Sequence, residues 1–248
     1  MKNLAPIVYR AVQNEPIQII SAEPSLKAEN YPDALTDKSE IVYATTNPGK
    51  FAEVNKLFAG HGVTIKSAAD YKVNIDVDET GSTLEENAII KAETYRDAIG
   101  EDVIVLGDDT GLEIDALGGE PGIKVRRWKG YKMTDEEIIT YALERLKNVP
   151  EDKRTAQFRT VIAVAKRGVA TITFSGILPG RIVTEPHSYR EEGLPFQPLF
   201  FSTDYNDMLY KIHSLPTAEK IAKHIVTHRE RAVTAALPYL STLQSQNQ

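Results

Sequence analysis

From Ile41 onward, short unbroken apolar runs alternate with stretches in which apolar residues recur every three or four positions. Ile41-Val42-Tyr43-Ala44 and Val103-Ile104-Val105-Leu106 are runs of the first kind. Such a run suits a strand buried on both faces, where neither face has to be polar. After the first run, Phe51, Val54, Leu57 and Phe58 share one face at the helical period. Pro48 fits the first turn of that helix, where its missing N–H costs nothing. Val63-Thr64-Ile65 predicts a further strand. Thr83 and Glu86 have capping-box spacing, so a second helix should start there with Ala88, Ala92 and Tyr95 inward. The spacing recurs at Thr134 and Glu137, ahead of Ile138, Ala142 and Leu146. Thr160 to Val164 and Ala170 to Phe174 read as the strands of a hairpin. A long last helix is predicted from near Thr217, with Ile221, Ile225, Ala232, Ala236 and Leu240 along one side. Strand and helix alternate, then strands pair: the pattern predicts an α/β fold with a mixed sheet flanked by helices.

Residues 1–40 have a different texture, with four prolines and two short apolar runs, Ile7-Val8-Tyr9 and Ile17-Gln18-Ile19-Ile20. They read either as edge strands or as an extension outside the fold, and they hold no chemical motif. The expected division is therefore an N-terminal extension, 1–40, and one domain, 41–248. At 42% hydrophobic residues the chain can build a real core. It has no cysteine, which excludes disulfides, cysteine-ligated zinc and thiol catalysis. A formal net charge of -6 argues against non-specific nucleic-acid binding. No apolar run approaches the roughly 18 residues of a membrane span, and proline and charge interrupt the N-terminus too early for a signal peptide. A cytoplasmic protein without nucleic-acid or membrane partners is expected.

Four groups could carry chemistry. Thr45-Thr46-Asn47-Pro48-Gly49-Lys50 stands between a strand and a helix N-terminus, where free N–H groups and the helix dipole attract phosphate; an ordinary turn with a helix cap is the plainer reading of these residues taken alone. Asp108 and Asp109 stand where the strand begun at Val103 should end, ahead of a glycine-rich turn. Their oxygens suit a hard cation such as Mg²⁺ or could orient a water, and a turn cap beside a solvated carboxylate is the plainer alternative. Asp76, Asp78 and Glu79 form a third group, of which Glu79 could approach Asp109 and share a metal with it. Finally, Lys223, Thr227 and Arg229 can share one broad face of the last helix, bordered by His228; that face is either a polyanion contact or a solvated basic surface.

Taken in order, TTNPGK (45–50), ETGSTLEENAIIKA (79–92), DDTGLEIDALGGEPG (108–122), RTAQFRTVIAVA (154–165) and THR (227–229) resemble the Ham1-type inosine/xanthosine triphosphate pyrophosphatases over about residues 41–243. The resemblance implies an elongated mixed sheet in two lobes around a substrate cleft, a homodimer, and Mg²⁺-dependent hydrolysis of non-standard purine nucleoside triphosphates (ITP, dITP, XTP) to the monophosphate and pyrophosphate. It implies roles as well. Thr45, Thr46, Asn47 and Lys50 would hold the triphosphate, with Lys91 and Lys223 adding charge. Asp109 would accept the proton of the attacking water and bind Mg²⁺ together with Glu79. Thr110 would contact substrate. Phe196 and Gln197 belong to the base pocket, and His228 and Arg229 would reach the base. Departures fall in that pocket: Leu194 stands where the family has an aromatic residue, Gln197 replaces an acidic one, and Lys124-Val125-Arg126-Arg127 keeps only Arg127 of the usual pattern. They leave open a pyrophosphatase for another modified or pyrimidine nucleotide, or a nucleotide-binding relative without turnover.

Overall fold

The structure, a computed structural model, describes residues 7–12, 15–21, 40–61 and 63–245. In chain order its elements are β1 (Ile7–Val12), β2 (Glu15–Ser21), β3 (Ile41–Ala44), α1 (Pro48–Gly60), β4 (Ile65–Ser67), α2 (Leu84–Ile99) and β5 (Ile104–Ile114). Then come β6 (Pro121–Gly122), α3 (Asp135–Leu146), β7 (Thr155–Lys166), β8 (Val169–Ile182), β9 (Phe200–Ser202), β10 (Asp207–Met208), α4 (Leu209–Ser214), α5 (Thr217–Ala222) and α6 (His228–Ser245). The sheet is mixed, in the order β10-β9-β8-β7-β5-β3-β4, with β6 paired to β5. The chain divides into two compact units, Met1–Asp109 with Thr160–Gly176 and Arg229–Gln248, and Thr110–Arg159 with Ile177–His228.

In the first unit, β3 runs parallel to β4 and to the start of β5, with Ala44 opposite Gly107. Side-chain alternation divides this sheet cleanly. Ile41, Tyr43, Ile104 and Leu106 face one core, which Val54 and Phe58 of α1 and Ala232, Ala236 and Leu240 of α6 complete. Val42, Ala44, Val103 and Val105 face the other, with Tyr95 of α2. Both faces are covered, which is why these strands read as continuous apolar runs. The helix starts lie where the spacing places them: Thr83 accepts from the Glu86 amide at 3.1 Å and Glu86 accepts in return from the Thr83 amide at 3.3 Å. The early apolar runs of the extension form strands. β1 and β2 pair antiparallel, and β1 meets β8 with Arg10 opposite Ile172.

Three sequence expectations shift. The strand expected at Val63 begins at Ile65, because the Val63 N–H is taken by the Phe58 carbonyl at the end of α1, at 3.1 Å. β5 does not stop at Asp108 but continues to Ile114: Leu112 and Ile114 are fully buried in the core of the second unit, and Leu112 and Glu113 pair with β6. The glycine turn comes after it, with Gly118 and Gly119 at φ of 65° and 89°. The long last helix is two helices. The His224 and Ile225 amides bond back to the Ile221 and Lys220 carbonyls, and His224 adopts φ 50°. This is a Schellman closure, and the β-branched run Ile225-Val226-Thr227 that follows resists helix. Ile221, expected inward, is 68% exposed.

The second unit is built on Leu112, Ile138, Ala142, Leu146, Leu178 and Phe200. Arg154 is buried at its edge. Its guanidinium donates to the carbonyls of Leu146 (2.9 Å), Val149 (3.0 Å) and Val183 (3.3 Å), which closes the carbonyl end of α3.

One contact fixes where α2 lies. A Cβ on Gly107 would stand 2.4 Å from the Ala88 carbonyl oxygen and 2.6 Å from the Ala92 nitrogen, both backbone atoms of α2. Gly107→Ala should therefore cost about 1–3 kcal/mol, the usual scale of overpacking. Gly60→Ala, with open space around the new methyl, should be neutral or slightly stabilising. Urea unfolding midpoints of the two variants check this; equal midpoints would show that α2 can lift off β5.

Candidate active site

The C-terminal end of β3 lies beside the middle of β5, with Ala44 opposite Gly107, and in parallel sheets the edge where such strands end is where ligands bind. β3 leads through Thr45, Thr46 and Asn47 into α1. The Thr45 hydroxyl accepts from the Asn47 amide at 3.1 Å, and the Asn47 side-chain oxygen accepts from the Gly49 and Lys50 amides at 2.9 and 3.2 Å. Asn47 is thus the N-cap of α1 and occupies two of its terminal amides. Thr45, Thr46, Asn47 and Lys50 line an open pocket of about 240 Å³ together with Asp76, Glu79 and Lys91. Lys50 of α1, Lys91 of α2 and the carboxylates Asp76 and Glu79 of the loop before α2 meet around it.

Just beyond Gly107, alternation along β5 sends the two aspartates to opposite faces. Asp108 points to the side of α1 and α6 and is only 1% exposed. It forms an ion pair with Lys50, and its other oxygen accepts from Arg229 Nε at 3.0 Å. Arg229 Nη1 donates in turn to Glu53 of α1 at 2.5 Å. Burial alone would raise the Asp108 pKa, but the adjacent Lys50 and Arg229 charges outweigh it and hold the carboxyl well below the usual range. Asp109 points to α2, where Asn87 Nδ2 lies 3.4 Å from its Oδ2. It is nearly as buried, with no cation bonded to its carboxylate among the described contacts. Burial pushes its pKa up to about 6; Lys91 pulls it down, and the negative charge of Glu79 pushes it up again. Lys91 ties the group together, with its Nζ 2.7 Å from Glu79 Oε1 and donating at 2.7 Å to the Asp108 carbonyl.

A divalent cation suits this donor set. Asp109 and Glu79 are hard oxygen donors close enough to raise one ionisation by mutual repulsion, and a cation between them would relieve it. Among the described residues, no three His, Cys, Asp or Glu side chains gather as a complete metal cage. Two carboxylates completed by water and substrate phosphate is how Mg²⁺ is commonly held.

The other expected residues stand as follows. Thr110 is the next residue of β5, half-buried. Phe196 lies in the core of the second unit, its ring 6.4 Å from that of Trp128. Gln197 is buried, with Nε2 3.0 Å from His213 Nδ1. Leu194 is 40% exposed. His228 is buried and stacks on Phe158 at 5.4 Å. Lys223 ends α5 and pairs with Glu219 at 2.6 Å; the turn after it removes the single helical face expected for Lys223, Thr227 and Arg229. Sequence reading missed Glu53, Asn87 and His213. The first two had a signal, since Glu53 follows Lys50 by three residues and Asn87 precedes Lys91 by four, each pair on one helical face. His213 had none.

The Ham1 family model matches residues 41–239 of this chain. The dITP/XTP pyrophosphatase of Thermoanaerobacter pseudethanolicus is 38% identical over 201 residues, covering 81% of this chain and 96% of the relative. That of Bacillus subtilis is 36% identical over 194 residues, covering 78% and 93%. Among solved structures, the Staphylococcus aureus Ham1 protein superposes with a TM-score of 0.66 at 31% identity, covering 85% of this chain and all of that one (100%). A HAM1 protein from Coxiella burnetii gives 0.66 at 32%, covering 84% and 99%. With the family model spanning most of its length and relatives of this identity matched nearly end to end, the chain belongs to the Ham1 family.

Proposed function

We propose that this protein hydrolyses non-standard purine nucleoside triphosphates, such as ITP, dITP and XTP, to the monophosphate and pyrophosphate, as a cytoplasmic homodimer. The observation that carries the reading is the divided aspartate pair: one carboxylate locked by two cations, its neighbour poised with a pKa of about 6 beside a lysine-lined pocket. A general base works best when its pKa lies near the working pH. Asp109 takes the proton of a water whose oxygen attacks the α-phosphorus. The bond to the oxygen bridging the α- and β-phosphorus breaks, and pyrophosphate leaves. Lys50 and Lys91 balance the charge on the phosphates, and Lys223 adds to them. Thr45, Thr46, Asn47 and Thr110 position the chain of phosphates. Glu79 and Asp109 would hold Mg²⁺, which when bound supplies positive charge against the phosphates and acidifies water.

Phe196, Gln197 and His228 read the base in this proposal. Arg229 holds Asp108 ionised through the contacts described above; the base contact expected of it requires giving up its Asp108 and Glu53 partners. The departures at Leu194 and Gln197 favour a second reading, a pyrophosphatase for a different nucleotide. A nucleotide panel with Mg²⁺, measuring pyrophosphate and orthophosphate separately, decides between them. Pyrophosphate from ITP and XTP in preference to ATP is the expected result. Orthophosphate as sole product would place attack at the γ-phosphorus and end the proposal.

Asp109→Asn should keep the fold and lower kcat by roughly 10²–10⁴. Most of the activity surviving would remove Asp109 as the base. The same variant tests the cause of its shift. A carboxyl whose folded pKa lies above its unfolded value stabilises the fold below the unfolded value and loses that contribution as pH rises through the folded one. From 3.8 to about 6, the wild type without metal should lose on the order of 2–3 kcal/mol between pH 4 and 7 that Asp109→Asn does not lose. Urea unfolding at several pH values measures it, and parallel curves for the two proteins would disprove the buried, unpaired state of Asp109.

Lys50→Ala and Lys91→Ala should each raise KM for the triphosphate about tenfold or more, the scale of a lost charge-assisted contact. Inhibition by the monophosphate product should weaken far less. Equal weakening of both ligands would put these lysines at the sugar or base.

A further inference from the structure

The amide of Gln197 is only half satisfied. The residue is 3% exposed. Its Nε2 meets His213 Nδ1 at 3.0 Å, while its Oε1 has no hydrogen-bond partner among the described residues. A buried acceptor left unpaired is costly and rare in native proteins. The partner ring also decides which atom is left over. A neutral imidazole with its proton on Nε2 offers a lone pair at Nδ1, so it accepts from the Gln197 NH₂ and leaves Oε1 over. A proton on Nδ1 would turn the amide round, so that Oε1 accepts and the NH₂ is left over. An isolated glutamine presents a donor or an acceptor with equal ease; this one is held by a ring. The backbone of His213 is held where α4 meets α5, because its carbonyl accepts from Lys220 Nζ at 2.8 Å.

We infer that His213 is a positioning residue that fixes the Gln197 amide with Oε1 as the presented acceptor, and that this acceptor takes the ring N–H of a 6-keto purine. The inference rests on the proposed function, in which Gln197 faces the base. Hypoxanthine and xanthine carry N1–H, which donates to Oε1. Adenine carries a lone pair at N1, which Oε1 repels. A fixed amide oxygen thereby does, without a charge, what an ionised carboxylate would do at this position. It discriminates by leaving a buried polar group unpaired against the wrong base, the strongest form of rejection available to a pocket.

The test is kcat/KM for ITP and ATP, by pyrophosphate release, in the full-length wild type, Gln197→Leu, His213→Leu and His213→Asn. The Asn side-chain oxygen sits one bond from Cγ, as Nδ1 does, and can accept the same amide N–H. His213→Leu should narrow the ITP/ATP ratio roughly tenfold or more, mostly through KM, and His213→Asn should restore it. If His213→Leu does not fold, His213→Gln, whose amide is one carbon too far out, should show the narrowed ratio against His213→Asn. A ratio narrowed by Gln197→Leu but unmoved by His213→Leu or His213→Gln would overturn the role of His213 while leaving the base reading intact. A ratio unmoved by Gln197→Leu would overturn the base reading itself, and this inference with it.

Discussion

The organisation of the first unit depends on a single buried charge. Asp108 sits almost wholly out of water, and a carboxylate there is tolerable only if it is paired and hydrogen-bonded. Lys50 at the start of α1 and Arg229 at the start of α6 supply that pairing, and Glu53 balances the additional positive charge that Arg229 brings. Two helices far apart in the sequence are thereby tied to one point of β5. Removing one partner would leave the rest uncompensated, which is the costly failure of buried ion networks. The register of β5, the entry of α1 and the place of Lys50 in the pocket follow from this cluster.

It also explains why two adjacent aspartates differ. A strand sends neighbours to opposite faces, and here the faces are chemically unequal. The α1 and α6 face delivers cations to Asp108. The α2 face delivers an amide, Asn87, and a lysine whose Nζ bonds to Glu79 and to the Asp108 carbonyl. Burial is similar on both sides, so partner charge decides the outcome: it holds the Asp108 pKa well below the usual range and leaves that of Asp109 raised to about 6. Environments that push two carboxyl groups apart in acidity are how one site comes to hold both a fixed charge and a base. The close seat of α2 on Gly107 keeps Asn87 and Lys91 at this distance, so backbone packing and acid–base chemistry are coupled.

The second unit solves a different problem, the pairing of buried carbonyl and amide groups. Arg154 satisfies three carbonyls around the end of α3. Buried Gln197 and half-buried His213 form a polar pair with one acceptor over. In a low-dielectric interior such a pair constrains geometry more than it stabilises, because each unsatisfied atom costs about as much as a hydrogen bond contributes. An amide at residue 197 is compatible with burial where an unpaired carboxylate would not be.

By itself, the sequence determined the elements whose cause is local. Capping boxes at Thr83 and Thr134, proline at the head of α1, and the unbroken apolar runs of β3 and β5 each state a structure within a few residues of themselves. The ordered motifs pointed to the family and to the acidic pair, to Lys50 and to Lys91. Only tertiary structure decided what depends on partners far along the chain. β5 outruns its apparent end because β6 and the second core wait for it. The last helix breaks because a reverse turn at His224 closes α5 before Lys223 and Arg229 can share a face. The family resemblance implied a role for Asp109, but why Asp108 and Asp109 differ in acidity could not be read from two identical letters. Acidity is set by the charges and the water that surround a group, and those arrive from α1, α2 and α6 only when the chain has folded.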